Sequence, residues 1–209
     1  MDQNRGTIYP ILLFFSFRSA CALILNVLSC YSLNSDYGFD PLGLGEVPAN
    51  LERFREAELL NARWAMLGVA GCWGVEAGGF GTWQEAPLAA QQSWGGIDLP
   101  ISNMSTLVGF EILLMAFAEQ QRISETDVSK RMYPGGSFDP AGLSKGDGFE
   151  SLKRKEIANG RLAMVAFLGI LAQNQAYPDG LGPVQALLNH VADPWHVNAA
   201  SNSLAVPWI

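Results

Sequence analysis

A nine-residue stretch that carries possible metal ligands occurs twice in the chain. Glu58 to Met66 reads ELLNARWAM, and 98 residues later Glu156 to Met164 reads EIANGRLAM. Each copy offers a carboxylate and, three residues on, an amide oxygen, which are ligands that a hard cation such as magnesium prefers. A magnesium ion already held by the four ring nitrogens of a neutral macrocycle needs only one further donor. Single residues spread along helices could serve such a metal, whereas a bare ion would require a cluster.

The charges of the two copies pair better between copies than within one. At about 100° per residue, Glu58 and Asn61 share one helix face, whereas Arg63 points about 140° away from that glutamate. If the two helices cross about a local twofold axis, Glu58 reaches Arg161 and Glu156 reaches Arg63. If these helices lie in a membrane, each unpaired charge in lipid would cost about 2.5 to 3.5 kcal/mol. The duplication therefore predicts this reciprocal pairing. The small residues that permit a close crossing are Ala62, Ala65, Gly160 and Ala163.

Helical segments must position these side chains. The sequence predicts three long helices and a short amphipathic one, at about Asn50 to Val75, Asn103 to Ile123, Phe149 to Gln175 and Val184 to Ala192. None of the long helices gives an unbroken apolar run of the ~20 residues that a membrane span requires, so a soluble helical bundle stays open as an alternative. Residues 1–35 form a hydrophobic N-terminal segment that we leave unassigned, and the main domain is predicted at 36–209.

The distribution of charge limits the partners and predicts a topology. A formal net charge of -7 argues against nucleic acid as a partner. Lys and Arg are absent from 67–121 and from every position after Arg161, and they concentrate in 122–155. By the positive-inside rule, this pattern predicts three membrane crossings, with 122–155 on the cytosol-like side and the 76–102 loop and the C-terminus on the other side.

Further motifs accompany the duplicated stretch. Phe-Asp-Pro-x-Gly-Leu occurs at 39–44 and 138–143, Tyr-Pro-Gly-Gly-Ser at 133–137, and His-Val-Ala-Asp-Pro-Trp-His at 190–196. Together with the repeated Glu-x-x-Asn-x-Arg-x-Ala-Met, these motifs resemble those of the chlorophyll a/b-binding light-harvesting family, and within it the photosystem I antenna type. The resemblance covers roughly Asp36 to Trp208.

The resemblance implies an all-α membrane protein. Its three transmembrane helices would include a first and a third that cross about a pseudo-twofold axis, and a short lumenal amphipathic helix would follow. It implies a multi-pass protein of the chloroplast thylakoid membrane with a stromal N-terminus. The implied cofactors are chlorophyll a, chlorophyll b and carotenoids (xanthophylls), with a bound phospholipid as a further candidate. The implied partners are the photosystem I core, neighbouring antenna subunits and thylakoid lipids.

Motif match within the resemblance assigns the site residues. It makes eight residues axial ligands of chlorophyll magnesium: Glu58, Asn61, Glu111, Glu119, Glu156, Asn159, Gln173 and His190. It makes Arg63 and Arg161 the interhelical ion-pair partners, and Arg122 is the local partner of Glu119. The two Phe-Asp-Pro turns are expected to hold the end groups of two carotenoids. Asn61 departs from the more frequent His, a change that the family associates with chlorophylls of lower energy.

The implied function is binding and positioning of pigments for energy transfer, not enzymatic catalysis. A photoprotective, energy-dissipating member of the same family is the alternative, since the motifs do not separate the two roles. The ion pairs and amides also have purely structural interpretations, as buried salt bridges and interhelical hydrogen bonds. A di-metal carboxylate enzyme would favour Glu-x-x-His pairs, whereas Asn follows each repeated Glu here. A repeat-built transporter would have a broken helix near mid-membrane, and neither repeated helix has a Pro there.

Overall fold

The computed structural model describes residues 39–86, 93–94, 97–98, 104–177 and 180–199. The unassigned segment at 1–35 lies outside these ranges, so the predicted domain start at residue 36 stays a prediction. The described chain is mostly helical, which confirms the helical character of the predicted class. Its helices are α1 (Pro48–Ala77), α2 (Met104–Ser124), α3 (Val128–Met132), α4 (Phe149–Ala176) and α5 (Pro183–Ala192). Two short antiparallel strands, β1 (Ser93–Trp94) and β2 (Ile97–Asp98), lie between α1 and α2.

The four predicted helices are present, with ends within two residues of those expected. Helix α1 begins at Pro48, two residues before the expected start at about Asn50. Proline is well suited to the first turn of a helix, where its missing N–H would have no intrahelical partner. The backbone N–H of Asn50 donates to the carbonyl of Val47 and already belongs to that first turn. The short α3 and the two strands were not predicted.

The helices differ in where their charged and apolar side chains lie. The first half of α1 carries five charged residues, at positions 52, 53, 55, 56 and 58. On α2, large apolar side chains are exposed, among them Phe110, Leu113 and Phe117. In the described part of the chain, no helix combines the length and the apolar character that a membrane crossing requires.

Contacts divide the chain into two compact units, and the described part of the first comprises 39–66 and 128–168. Its buried apolar residues are Leu59, Ala62, Ala65, Ile157 and Met164. A Cβ atom added to Gly160 would collide with the side chain of Ala62. Within this unit, α1 and α4 therefore approach each other at the small residues that the sequence singles out.

The second unit includes the C-terminal part of α1, all of α2 and all of α5. The carboxylate of Glu76 accepts hydrogen bonds from the backbone N–H groups of Val184 and Gln185, each at 2.7 Å. Those N–H groups lie in the first turn of α5, where no intrahelical acceptor exists, so Glu76 supplies the missing partners. The amide of Gln84 donates to the buried Asn174. The two bonds to Glu76 fix the start of α5 within the second unit.

Candidate functional site

The first repeated carboxylate is buried and neutralised. Glu58 on α1 is only 3 % exposed. Arg161 on α4 donates from Nε to Glu58 Oε1 over 2.7 Å, so this predicted pair is present. Burying a carboxylate without a cationic partner would cost several kcal/mol, on the order of the penalty for any unpaired ion. Each carboxylate oxygen carries more than one lone pair, so the neutralised group can still offer one to a metal.

The second repeated carboxylate has two donors. Arg63 Nε lies 2.6 Å from Glu156 Oε1, which makes the reciprocal pair that the duplication predicts. Arg63 also donates from Nη1 to the carbonyl of Met132 over 2.9 Å. The hydroxyl of Tyr133 donates to Glu156 Oε2 over 2.9 Å. The pair therefore belongs to a hydrogen-bond network that includes the segment immediately after α3.

Tyr133 is a residue of this site that the sequence reasoning missed. Its ring packs edge-to-face on Phe149 with 5.5 Å between centroids, and the guanidinium of Arg63 lies 5.1 Å from its centroid. Burial raises the pKa of the Tyr133 phenol, and the charge of Glu156 and its hydrogen bond raise it further. The hydroxyl therefore stays protonated and acts as a donor. The Tyr-Pro-Gly-Gly-Ser motif could have identified this residue, but it served only to support the family resemblance.

The two Phe-Asp-Pro turns close in the same way. Asp40 accepts hydrogen bonds from the backbone N–H groups four and five residues on, at 3.0 and 2.8 Å. Asp139 makes the corresponding two bonds at the same distances. The glycine three residues after each aspartate has a left-handed backbone, with φ of 63° at Gly43 and 67° at Gly142. Hydrogen bonds from the hydroxyl and the backbone of Ser144 hold the pKa of Asp139 below its ordinary value.

A cavity of about 500 Å³ lies beside the second turn, within the first unit. Apolar and aromatic groups form much of its wall, among them Phe138, Leu143 and Phe149, while Tyr133 and Asp139 add polar groups. A concave, mostly apolar site with a few polar groups suits an apolar ligand that has a polar end.

The two repeated asparagines keep their amide oxygens available. Asn159 is exposed, and its Nδ2 donates to the carbonyl of Lys155 over 2.8 Å. Asn61 is half-buried. Within the described residues, neither amide oxygen has a hydrogen-bond partner. Each asparagine therefore offers a neutral oxygen three residues after its glutamate.

The two predicted ligands on α2 lie apart from the repeated motifs in the sequence and differ in their surroundings. Arg122 donates to Glu119 Oε2 from Nε at 3.0 Å and from Nη2 at 2.8 Å, so the predicted local pair is present. An ion pair that is this exposed adds little stability but neutralises the carboxylate. Glu111 is exposed and has no side-chain partner among the described residues.

The remaining two predicted ligands line one cavity in the second unit. Gln173 and His190 both contact a cavity of about 340 Å³, with Tyr177 and Ala186 also in its wall. His190 Nδ1 lies 2.6 Å from the carbonyl oxygen of Val197. Because a carbonyl oxygen only accepts, Nδ1 carries the proton, and the lone pair of Nε2 is left for a ligand.

These donors occur singly or in pairs. In the portion of the chain that the structure describes, no three His, Cys, Asp or Glu side chains are grouped so that they could hold a metal ion. The arrangement instead provides one donor at a time beside apolar surface, and every donor except Glu111 is neutral or neutralised by an arginine. That is the donor set expected for a metal whose other ligands belong to a ring, and the residues present fit a chlorophyll magnesium.

Comparison with known proteins gives one family and several relatives. A family model described as "Chlorophyll A-B binding protein" matches residues 29–175. "Chlorophyll a-b binding protein 6, chloroplastic" of Arabidopsis thaliana is 51% identical over 173 residues, which are 80% of this chain and 71% of the relative. "Chlorophyll a-b binding protein 1B-21, chloroplastic" of Hordeum vulgare is 52% identical over 169 residues, 78% and 69% of the two chains. "Photosystem I chlorophyll a/b-binding protein 5, chloroplastic" of Arabidopsis thaliana is 37% identical over 187 residues, 79% and 72%.

Proposed function

Because the chain belongs to the family of chlorophyll A-B binding proteins, which bind chlorophylls and carotenoids and are not enzymes, we propose that it is an antenna subunit of photosystem I. In this role it holds pigments at short separations and fixed orientations, so that absorbed energy passes from one to the next and on to the photosystem core. The chain's own contribution is to bind, orient and tune these cofactors.

The main support for this proposal comes from the two reciprocal ion pairs between α1 and α4. Glu58 and Arg161 at 2.7 Å, and Glu156 and Arg63 at 2.6 Å, neutralise the repeated carboxylates and join α1 to α4. A structural salt bridge alone would not require amide oxygens beside it. Here each carboxylate is followed one turn later by an amide oxygen without a partner in the described chain, at Asn159 and Asn61.

Each proposed ligand offers its magnesium a single donor atom. Three of the carboxylates, those of Glu58, Glu119 and Glu156, are neutralised by arginines. The amide and imidazole donors are neutral groups, and Glu111 is a carboxylate without a side-chain partner among the described residues. Chlorophyll, when bound, supplies the absorbing ring and the metal, and the side chains set its position. The proposed axial ligands are Glu58, Asn61, Glu111, Glu119, Glu156, Asn159, Gln173 and His190.

The carotenoid sites are proposed at the two aspartate-closed turns. The cavity of about 500 Å³ beside Asp139 has apolar walls and polar groups, which suits the end ring of a xanthophyll. The turn at Asp40 has the same hydrogen bonds and would hold a second carotenoid in the equivalent way. A phospholipid is a further proposed ligand, without a residue assignment.

We propose that α1, α2 and α4 cross the thylakoid membrane with a stromal N-terminus. The concentration of Lys and Arg in 122–155 and their absence from 67–121 support this orientation. The exposed apolar side chains of α2 are the kind of surface that lipid and pigment would cover. The amphipathic α5 would then lie along the lumenal surface.

Replacing His190 with Ala tests the ligand assignment. We expect the full chain, refolded with thylakoid pigments, to bind chlorophyll, and the His190→Ala complex to contain less of it because the Nε2 donor is gone. Pigment extraction and quantification measure the loss. The matched control is His196→Ala, because His196 is exposed and its ring pairs with the nearby Asp193 at 2.9 Å. Equal chlorophyll content in the two variants would contradict the role of His190.

Replacing Asn61 with His tests the proposed type of antenna. A relative at 37% identity is named as a photosystem I protein, and Asn61 is the departure associated with low-energy chlorophylls. We expect Asn61→His to shift the longest-wavelength fluorescence at low temperature to the blue, because an imidazole replaces the amide oxygen at the metal. Asn189→His, at a position outside the proposed ligands, should leave the emission unchanged. An unmoved spectrum in Asn61→His would remove this support for a photosystem I antenna.

A further inference from the structure

Tyr133 contacts the carboxylate of Glu156, a proposed chlorophyll ligand, and is not itself a proposed ligand. Its hydroxyl donates to Glu156 Oε2 over 2.9 Å, while Arg63 Nε holds Oε1 of the same carboxylate at 2.6 Å. Both oxygens of Glu156 are therefore held by donors from outside α4, one from α1 and one from the segment that follows α3. A carboxylate held at both oxygens has little freedom to rotate about its terminal bond.

The Tyr133 ring is itself held in place. It packs edge-to-face on Phe149 at the start of α4. Two cations lie near its ring, the guanidinium of Arg63 at 5.1 Å and Lys153 Nζ at 5.2 Å from the centroid. Cations over a ring face attract its electron density and fix its orientation. A carboxylate oxygen only accepts, so the Tyr133 hydroxyl is the donor of this bond.

We propose that Tyr133 is a positioning residue for Glu156, and that its hydroxyl sets both the orientation of the carboxylate and the strength with which it donates to chlorophyll magnesium. This inference rests on the proposed function of Glu156 as an axial ligand. A hydrogen bond to one carboxylate oxygen withdraws electron density that the ligand would otherwise share with the metal. Groups that hydrogen-bond to a metal ligand commonly change how strongly it donates to the metal as well as its orientation.

The test is to remove the hydroxyl and keep the ring. We expect Tyr133→Phe, in the full chain refolded with pigments, to retain the chlorophyll at Glu156 and to shift its absorption band. The band is identified as the one missing from the Glu156→Leu complex. Ser151→Ala is the matched control, because it removes a hydroxyl from α4 that, among the described residues, is bonded only to the carbonyl of Gly148. A second variant carries 3-fluorotyrosine at position 133, which preserves the ring and makes the hydroxyl a stronger donor.

The two changes at Tyr133 should move the same band in opposite directions. Loss of this chlorophyll in Tyr133→Phe, with the others retained, also supports the inference. If Tyr133→Phe forms no complex, the fluorinated chain decides alone, because a shifted band supports the role and an unmoved band overturns it. An unmoved band in both variants overturns the role of Tyr133 and leaves the proposed function standing. If Glu156→Leu keeps its full chlorophyll content, Glu156 is not an axial ligand, and the role proposed for Tyr133 is overturned together with that assignment.

Discussion

The Arg161→Leu variant is expected to lose the chlorophyll at Glu58 and to denature well below the native complex. Glu58 is 3 % exposed, and Arg161 lies 2.7 Å from it. Removing one partner of a buried ion pair leaves an uncompensated charge, which costs about 3 to 5 kcal/mol. Without Arg161 to neutralise and orient it, the Glu58 carboxylate is also a poorer ligand for magnesium. Thermal denaturation followed by circular dichroism in the pigment bands, with pigment quantification, measures both effects.

Two further variants separate charge from packing. The double variant Glu58→Leu/Arg161→Leu removes both charges, so it should recover much of the stability but none of the lost chlorophyll. Arg154→Gln, at an exposed position of α4, should resemble the native complex. Native stability and pigment content in Arg161→Leu would show that the pair has neither a structural nor a binding role.

The Gly160→Ala variant is expected to destabilise the complex even though it adds only one methyl group. The new Cβ would overlap the Cβ of Ala62 and lie 3.3 Å from its Cα. Ala62 is fully buried at 0 % exposure, so the added group has no space and α1 and α4 must separate. Overpacking of this kind costs about 1 to 3 kcal/mol. We also expect weaker pigment binding, because Arg161 follows directly and its pair with Glu58 depends on this approach.

The same substitution elsewhere on α4 provides the control. A Cβ on Gly169 would meet nothing within 4 Å. Gly169→Ala should therefore be neutral or stabilise the helix by up to about 1 kcal/mol, since alanine favours helix more than glycine. If both alanine variants denature at the same temperature, the close approach of α1 and α4 at Gly160 is wrong.

The long helices and the ion pairs were predictable because their signals lie in the sequence itself. The duplicated motif places a glutamate and an arginine on different faces of each helix, so only pairing between Glu58 and Arg161, and between Glu156 and Arg63, satisfies all four charges. Small residues within the same duplicated motifs, including Gly160, indicate where the two helices approach each other. Hydropathy was less informative, because charged residues interrupt the apolar runs, and the membrane crossings therefore stay a proposal.

The contacts that sequence reasoning missed join segments without a shared pattern. Tyr133 reaches Glu156 from a short connecting segment, and no periodicity relates the two. Glu76 satisfies the start of α5 from 108 and 109 positions away along the chain, where a local capping residue would ordinarily be sought. The five-residue α3 is too short for a periodic signal. These features depend on tertiary placement, which local propensity does not encode.

The aspartate-closed turns have a consequence for the order in which the protein assembles. Their hydrogen bonds span four or five positions, whereas the two ion pairs join positions 93 and 103 apart. Closing a short loop costs less chain entropy than closing a long one, so the turns can form while the rest of the chain is still unfolded. The turn at Asp40 can therefore form before α1 packs, and the turn at Asp139 before α4 packs. The pairing of distant glutamates and arginines becomes a late step, to which pigment uptake can be coupled.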